Sequence, residues 1–322
     1  MKSDSRRAII AALLANLGIA IAKFVGFFFT GAASMLAEAI HSVADTSNQG
    51  LLFMGGALAR RKPTRKRPFG YGRERYFWAF MVAVVIFTLG ALFALYEGIS
   101  KIAHPHQLES PGWAIGILAV AAALESWSFR TAIHESNHER RNQSWRSFVL
   151  QARVPELPVV LLEDAGALVG LLFALIGVGL TLLTGDARFD ALGSIAIGVL
   201  LAAIAIVLAV RMKSLLIGES ATPETEQTIE HVIENDAAVK RLIHLRTEHI
   251  GPDVLLVAAK VEFQRGMTGE AIAMAIDVLE VGVRAEVPIA RLIFIEPDVY
   301  HEHPAAAVEP AAAPTPPAGP AA

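Results

Sequence analysis

Residues 34–49, SMLAEAIHSVADTSNQ, lie inside a stretch, 32–59, that otherwise has the length and apolarity of a membrane-crossing helix. The segment carries Ser34, Glu38, His41, Asp45, Asn48 and Gln49. At the turn angle of an α-helix these six positions fall within one stripe roughly 100° wide. A single charge at the centre of a spanning helix costs on the order of 2.5–3.5 kcal/mol. Several on one face are tolerated where that face meets protein, water or a cation. A seam of helix–helix hydrogen bonds would satisfy a lone Ser or Asn. Two carboxylates and an imidazole together read as a cation site. His41 and Asp45, four residues apart, stack on one face with a turn between them, which suits two ligands of one ion.

The rest of the chain supports a membrane setting. Its 322 residues are 54% hydrophobic and only 18% charged, against about 25% charged in ordinary soluble domains. Six apolar segments of spanning length are read at 8–29, 32–59, 76–101, 112–134, 158–183 and 188–210, the last two joined only by TGDAR. The initial MKSDSRR and the run after it are expected to be a retained span, since that run is too long for a signal-peptide core. Arg and Lys crowd the links after the second, fourth and sixth segments, and the other links carry almost none. The positive-inside rule then puts both termini in the cytoplasm, for an integral protein of the cell (inner) membrane. Topology accounts for the basic loop, so no nucleic-acid partner is expected.

The absence of cysteine excludes disulfides and thiolate metal sites, which leaves nitrogen and oxygen ligands. A second candidate half-site is VVLLEDAGALVG at 159–170, with Glu163 and Asp164. Adjacent residues diverge by about 100° on a helix, so one of the two is expected to share a partner with His41. Solvation at the cytoplasmic end, or pairing with Arg153, is the alternative for these acids. Gly55 with Gly56, and Gly166 with Gly170, offer close helix approach. Lys23 is expected to snorkel, and Glu125 reads either as a proton relay or as an ion-pair partner. His104 and His106, and the group His301, Glu302 and His303, are weaker metal candidates. No H-E-x-x-H, G-x-S-x-G or phosphate-binding glycine loop appears, so neither an enzyme nor an ATP-driven pump is expected, and no permanent cofactor.

From about residue 221 the pattern becomes that of a soluble module: a helix opened by Thr222-Pro223-Glu224, strands near 238–250 and 254–263, a helix at 269–283 and a strand at 289–295. This αββαβ order predicts a small ferredoxin-like α/β layer. The division is therefore a six-helix transmembrane domain at 1–217, a cytoplasmic α/β domain at 218–300 and a disordered Pro/Ala-rich tail at 301–322.

Six spans, His41-x-x-x-Asp45 in the second, a carboxylate in the fifth and the terminal α/β module together resemble the cation diffusion facilitator family. The stretch PFGYGRERYFWA at 68–79 is similar to that family's signature before its third span. The residues 37–49 and 160–170 look closest to the subgroup of the ninth human-type zinc transporter. The resemblance implies a homodimer, with dimerisation through the domain at 218–300, exporting a divalent cation, zinc foremost, in exchange for protons. It implies ligands at His41, Asp45 and Asp164. The position four before Asp164 is Val160, which cannot bind metal, so Glu163, Glu38 or water is left to complete the set. Arg67, Tyr71, Ala259 and Phe294 stand where some relatives have histidines, which implies a reduced or absent regulatory zinc cluster with Glu296 as a partial match. The alternative function is a membrane-anchored sensor or interaction protein with a vestigial site.

Overall fold

The computed structural model describes residues 3–105, 111–140 and 144–301. His106, Glu302, His303 and the Pro/Ala tail lie outside the described residues. By its internal contacts the chain divides into two compact units, one of residues 1–221 with Thr247–Leu256, the other of Thr222–Arg246 with residues 257–322.

The first unit is a helical bundle. Its long elements are α1 (Ser3–Thr30), α2 (Ala33–Ala59), α3 (Glu74–Val85) continuing through a π-helical segment (Ile86–Leu92) into α4 (Phe93–Ala103), α5 (Pro111–Arg140), α7 (Glu156–Thr184) and α8 (Arg188–Ile217). A short helix, α6 (Trp145–Gln151), sits in the link before α7. Among the described residues, four stretches have the length and apolarity to cross a membrane: Glu74–Ala103, Gly112–Asn137, Glu156–Thr184 and Arg188–Ile217. Diluted by its polar stripe, α2 is not among them. The described apolar part of α1, Leu17–Thr30, is shorter.

Small residues set how closely these helices approach. A Cβ on Gly98 would lie 2.8 Å from the Ala191 carbonyl oxygen, and one on Gly198 would lie 2.9 Å from the Leu95 nitrogen, so α4 and α8 touch backbone to backbone. The α7–α8 turn closes on Gly185, whose φ of 73° is left-handed and whose N–H caps the Thr181 carbonyl. Gly55 abuts Trp78, whereas Gly56 faces open space, so only the first of that expected pair mediates packing. Gly166 meets the Ile204 side chain on α8.

The sequence reading did not anticipate α6. Ser144 caps it by accepting from the Ser147 N–H, and Phe148 buries beside Ala132 of α5 and Leu161 of α7 in a small second core.

The elements after residue 221 follow the expected order: α9 (Pro223–Glu234), β1 (Val239–Gly251), β2 (Val254–Phe263), α10 (Gly269–Glu286) and β3 (Ala290–Pro297). β2 is the central strand of a three-stranded sheet. Thr222 and Thr268 cap α9 and α10 through their hydroxyls. Along β2, Leu255, Val257, Ala259 and Val261 bury on one face at the two-residue period of a strand. The core of the other unit of the chain is separate and centres on α2, α3, α7 and α8.

Candidate metal centre

The polar stripe of α2 faces inward. Ser34 and Glu38 are buried, His41 is 1% exposed, Asp45 14%, and Asn48 is buried. The helix places His41 Nδ1 and Asp45 Oδ1 3.5 Å apart, too loose for a hydrogen bond between them. Both imidazole nitrogens and Asp45 Oδ1 lack any hydrogen-bond partner, as do Glu38 Oε1 and Asn48 Oδ1. Buried polar atoms are normally paired, because an unpaired one costs about 1–3 kcal/mol. Five such atoms on one helix face make α2 the main concentration of unmet polar demand among the described residues. Lone pairs dominate the set: one of the two ring nitrogens of a neutral imidazole, and three oxygens. That is the donor chemistry of a cation site.

The two acids of α7 diverge as adjacent helical residues must. Glu163 turns to α2 and accepts from Asn48 Nδ2 at 2.6 Å, and Asp164 turns to α5 and accepts from Ser128 Oγ at 2.9 Å. Neither pairs with Arg153, which binds Glu219 and the Ser220 carbonyl instead. Glu163, Glu125 and Asp164 all bear electrostatically on Asp45. Yet no three His, Asp or Glu side chains among the described residues converge closely enough to hold a metal in this arrangement. His41 and Asp45 are together; Glu163 and Asp164 stand at two other walls. Val160 is half-buried among apolar neighbours and offers no donor.

Glu38 is placed differently from the rest of its stripe. Its Oε2 accepts from Lys23 Nζ at 3.0 Å, and Lys23 also donates to Ser42 Oγ at 2.8 Å. Lys23 lies 3.7 Å from Glu125 on α5. Lys23 is completely buried, so the expected snorkelling does not occur. Glu125, for which two roles were open, stands in the ion-pair position.

Sequence reading missed a second buried network. Asp190, in the first turn of α8, accepts from the N–H groups of Ala33 at 2.8 Å and Ser34 at 3.3 Å, and from the Ser34 hydroxyl. Lys101 Nζ donates to Asp190 at 2.8 Å and to the Gly31 carbonyl at 2.9 Å. The carboxylate thus meets the open N-terminus of α2, where the helix dipole favours an anion. The signal available in the sequence was an acid just inside the α8 span matched by a lysine near the end of α4.

Elsewhere, Arg67 stacks over Tyr71 at 4.8 Å and pairs with Glu74 at 2.6 Å. Glu296 pairs with Lys260 at 3.2 Å, and Ala259 is buried.

Residues 9–217 match the family described as the cation efflux transmembrane domain. The chain is 36% identical over 265 residues to a protein of Xenopus laevis named proton-coupled zinc antiporter SLC30A9, mitochondrial; the match covers 82% of this chain and 47% of that protein. It is 35% identical over 243 residues to the human protein of the same name, covering 75% of this chain and 43% of that one. To metal tolerance protein C4 of Arabidopsis thaliana it is 29% identical over 265 residues, covering 82% and 58%. The chain spans about half the length of these relatives.

Proposed function

The chain belongs to the cation efflux family, and from that premise we propose that it is a secondary transporter exporting a divalent metal cation, zinc foremost, in exchange for protons. The observation that carries this reading is the row of unpartnered lone pairs on α2, at His41, Asp45 and Asn48, in an otherwise apolar bundle. The names of the Xenopus and human relatives support the ion and the coupling.

The proposed ligands are His41 and Asp45, joined by Asp164 or Glu163 when α7 moves toward α2. Zinc binding requires neutral imidazole and ionised carboxylates, so each ion taken up expels protons and each proton taken up weakens the site. Alternating access follows if the helices carrying these groups shift relative to one another. The proposed topology has six spans, α1, α2, α3–α4, α5, α7 and α8, with both termini cytoplasmic in the cell (inner) membrane. The αββαβ module is proposed as a ferredoxin-like dimerisation domain, and the chain as a transporter without enzymatic chemistry of its own.

The test is zinc-dependent proton flux in proteoliposomes. His41→Ala and Asp45→Ala are each expected to lower it at least ~10-fold, the scale set by losing a metal-site group. Unaltered flux in both variants overturns the assignment. A sensor with a vestigial site draws its support from Val160 and the unconverged carboxylates. Purified protein with no metal bound within the bundle would favour it.

A further inference from the structure

Lys23, Glu38, Ser42 and Glu125 form a second polar cluster built from α1, α2 and α5. It lies one helical turn from His41 along α2, since Glu38 precedes His41 by three residues and Ser42 follows it directly. The ammonium is completely buried, as is the carboxylate of Glu38. Beside Lys23, between α1 and α5, lies a cavity of about 670 Å³ whose other lining residues, among them Ile19, Trp113, Ile117 and Leu124, are uncharged. Among the described residues no side chain on that side pairs with the ammonium, so Lys23 is committed to Glu38, Ser42 and Glu125. Glu38 Oε1 is left without a partner, and it lies so close to Gly170 that a Cβ there would fall on it.

Without the lysine, two carboxylates and a hydroxyl would face one another in an apolar bundle. That oxygen-donor set suits a divalent cation. We propose that Lys23 is a tethered stand-in for a second metal ion: its ammonium occupies the Glu38–Ser42–Glu125 cluster, confines the bundle to one divalent cation and withholds Glu38 from the ligand set of His41 and Asp45. The inference rests on the divalent-cation reading and adds to it a device that sets how many ions the bundle takes. A fixed charge is effective here because an intramembrane carboxylate must be paired, and a lysine on a neighbouring helix cannot diffuse away as a metal can.

The test counts zinc bound per protomer of the purified full chain, by elemental analysis after equilibrium dialysis. The unchanged protein is expected to hold about one ion in the bundle and Lys23→Met about two, from the vacated oxygen set. Lys23→Arg, and the exchange Lys23→Glu with Glu38→Lys, keep a cation in the cluster and should return the count to about one. Glu38→Gln covers the case in which Lys23→Met does not fold. With Lys23 intact, its zinc affinity should stay within about threefold of the unchanged protein, whereas removal of a true ligand costs at least ~10-fold. A count of one in folded Lys23→Met, or a tenfold loss in Glu38→Gln, overturns the proposal. No zinc in the unchanged bundle would instead overturn the transporter reading.

Discussion

Two buried lysine–carboxylate clusters sit in the same bundle, and they are finished to different degrees. Around Asp190 every partner is supplied: two backbone N–H groups, a hydroxyl and the Lys101 ammonium. Lys101 in turn reaches the Gly31 carbonyl. Around Lys23 the ammonium is well served but Glu38 Oε1 is not, and further along the same face of α2 His41, Asp45 and Asn48 have lone pairs to spare. Both clusters tie three helical elements together with one lysine. The first is saturated and so has one favoured arrangement. The second keeps unmet capacity, which is what a site that must accept and release an ion requires. A buried ion pair adds little net stability, but losing one partner is costly because the other charge is stranded.

That contrast can be broken most severely at Asp190. Asp190→Leu should strand Lys101 and uncap α2, lowering stability by about 3–5 kcal/mol, read as the midpoint of thermal or denaturant unfolding in detergent. Pairing it with Lys101→Met should restore most of the loss. A single-variant loss below about 1 kcal/mol would show that the saturated network is not the lock described. Gly170→Ala is next in size. The added methyl would fall on Glu38 Oε1, so about 1–3 kcal/mol is expected from overpacking, and an unchanged unfolding midpoint would contradict the placement of Glu38.

Ser128→Ala sharpens the comparison from the side of α7. It removes the hydroxyl that holds Asp164 toward α5. The expected stability change is about 1 kcal/mol, together with a shift in zinc affinity of up to ~10-fold, since Asp164 loses its fixed orientation. Isothermal titration of the purified variant would measure it, and no change in affinity would exclude Asp164 as an oriented ligand.

At neutral pH the smallest effect belongs to His249, a control outside the bundle's spans. It lies in the β1–β2 hairpin tip that belongs to the first unit. Burial, then the nearby Arg153 guanidinium, lowers its pKa from 6.5 to about 4. The folded form therefore resists a proton that the unfolded chain accepts. Its contribution is complete above pH 6.5, declines as pH falls, and levels off below about 4. His249→Gln should flatten the fall in unfolding stability across that window by up to about 3 kcal/mol. Identical pH profiles for the two proteins would remove His249 as a cause.

How much of this was legible in the sequence varies with the range of the interaction. The polar face of 34–49 and the αββαβ module could be read directly, because side-chain period and capping residues are local properties. The helix expected at 269–283 runs from Gly269 to Glu286, and the strand expected at 254–263 is found at Val254–Phe263. The divergence of Glu163 and Asp164 followed from helix geometry alone. Their partners, Asn48 and Ser128, did not, since these come from helices more than thirty residues away in the chain. Lys23 was misjudged for a similar reason: whether a long side chain snorkels or turns inward depends on what the neighbouring helices place beside it. The short helix α6 has too few turns to show a clear period, and its stability comes from Phe148 packing on α5 and α7.

The sequence alone determined that His41 and Asp45 share a face of an apolar helix, because four residues are close to one turn and burying charge is costly enough to be conspicuous. It also determined that no thiolate ligand could take part. Only the tertiary structure decided that Glu38 belongs to Lys23 and Glu125, that Asp190 caps α2, and that Glu163 and Asp164 stand at different walls. Those assignments depend on separations of a few ångströms between helices, which packing sets and no local pattern encodes.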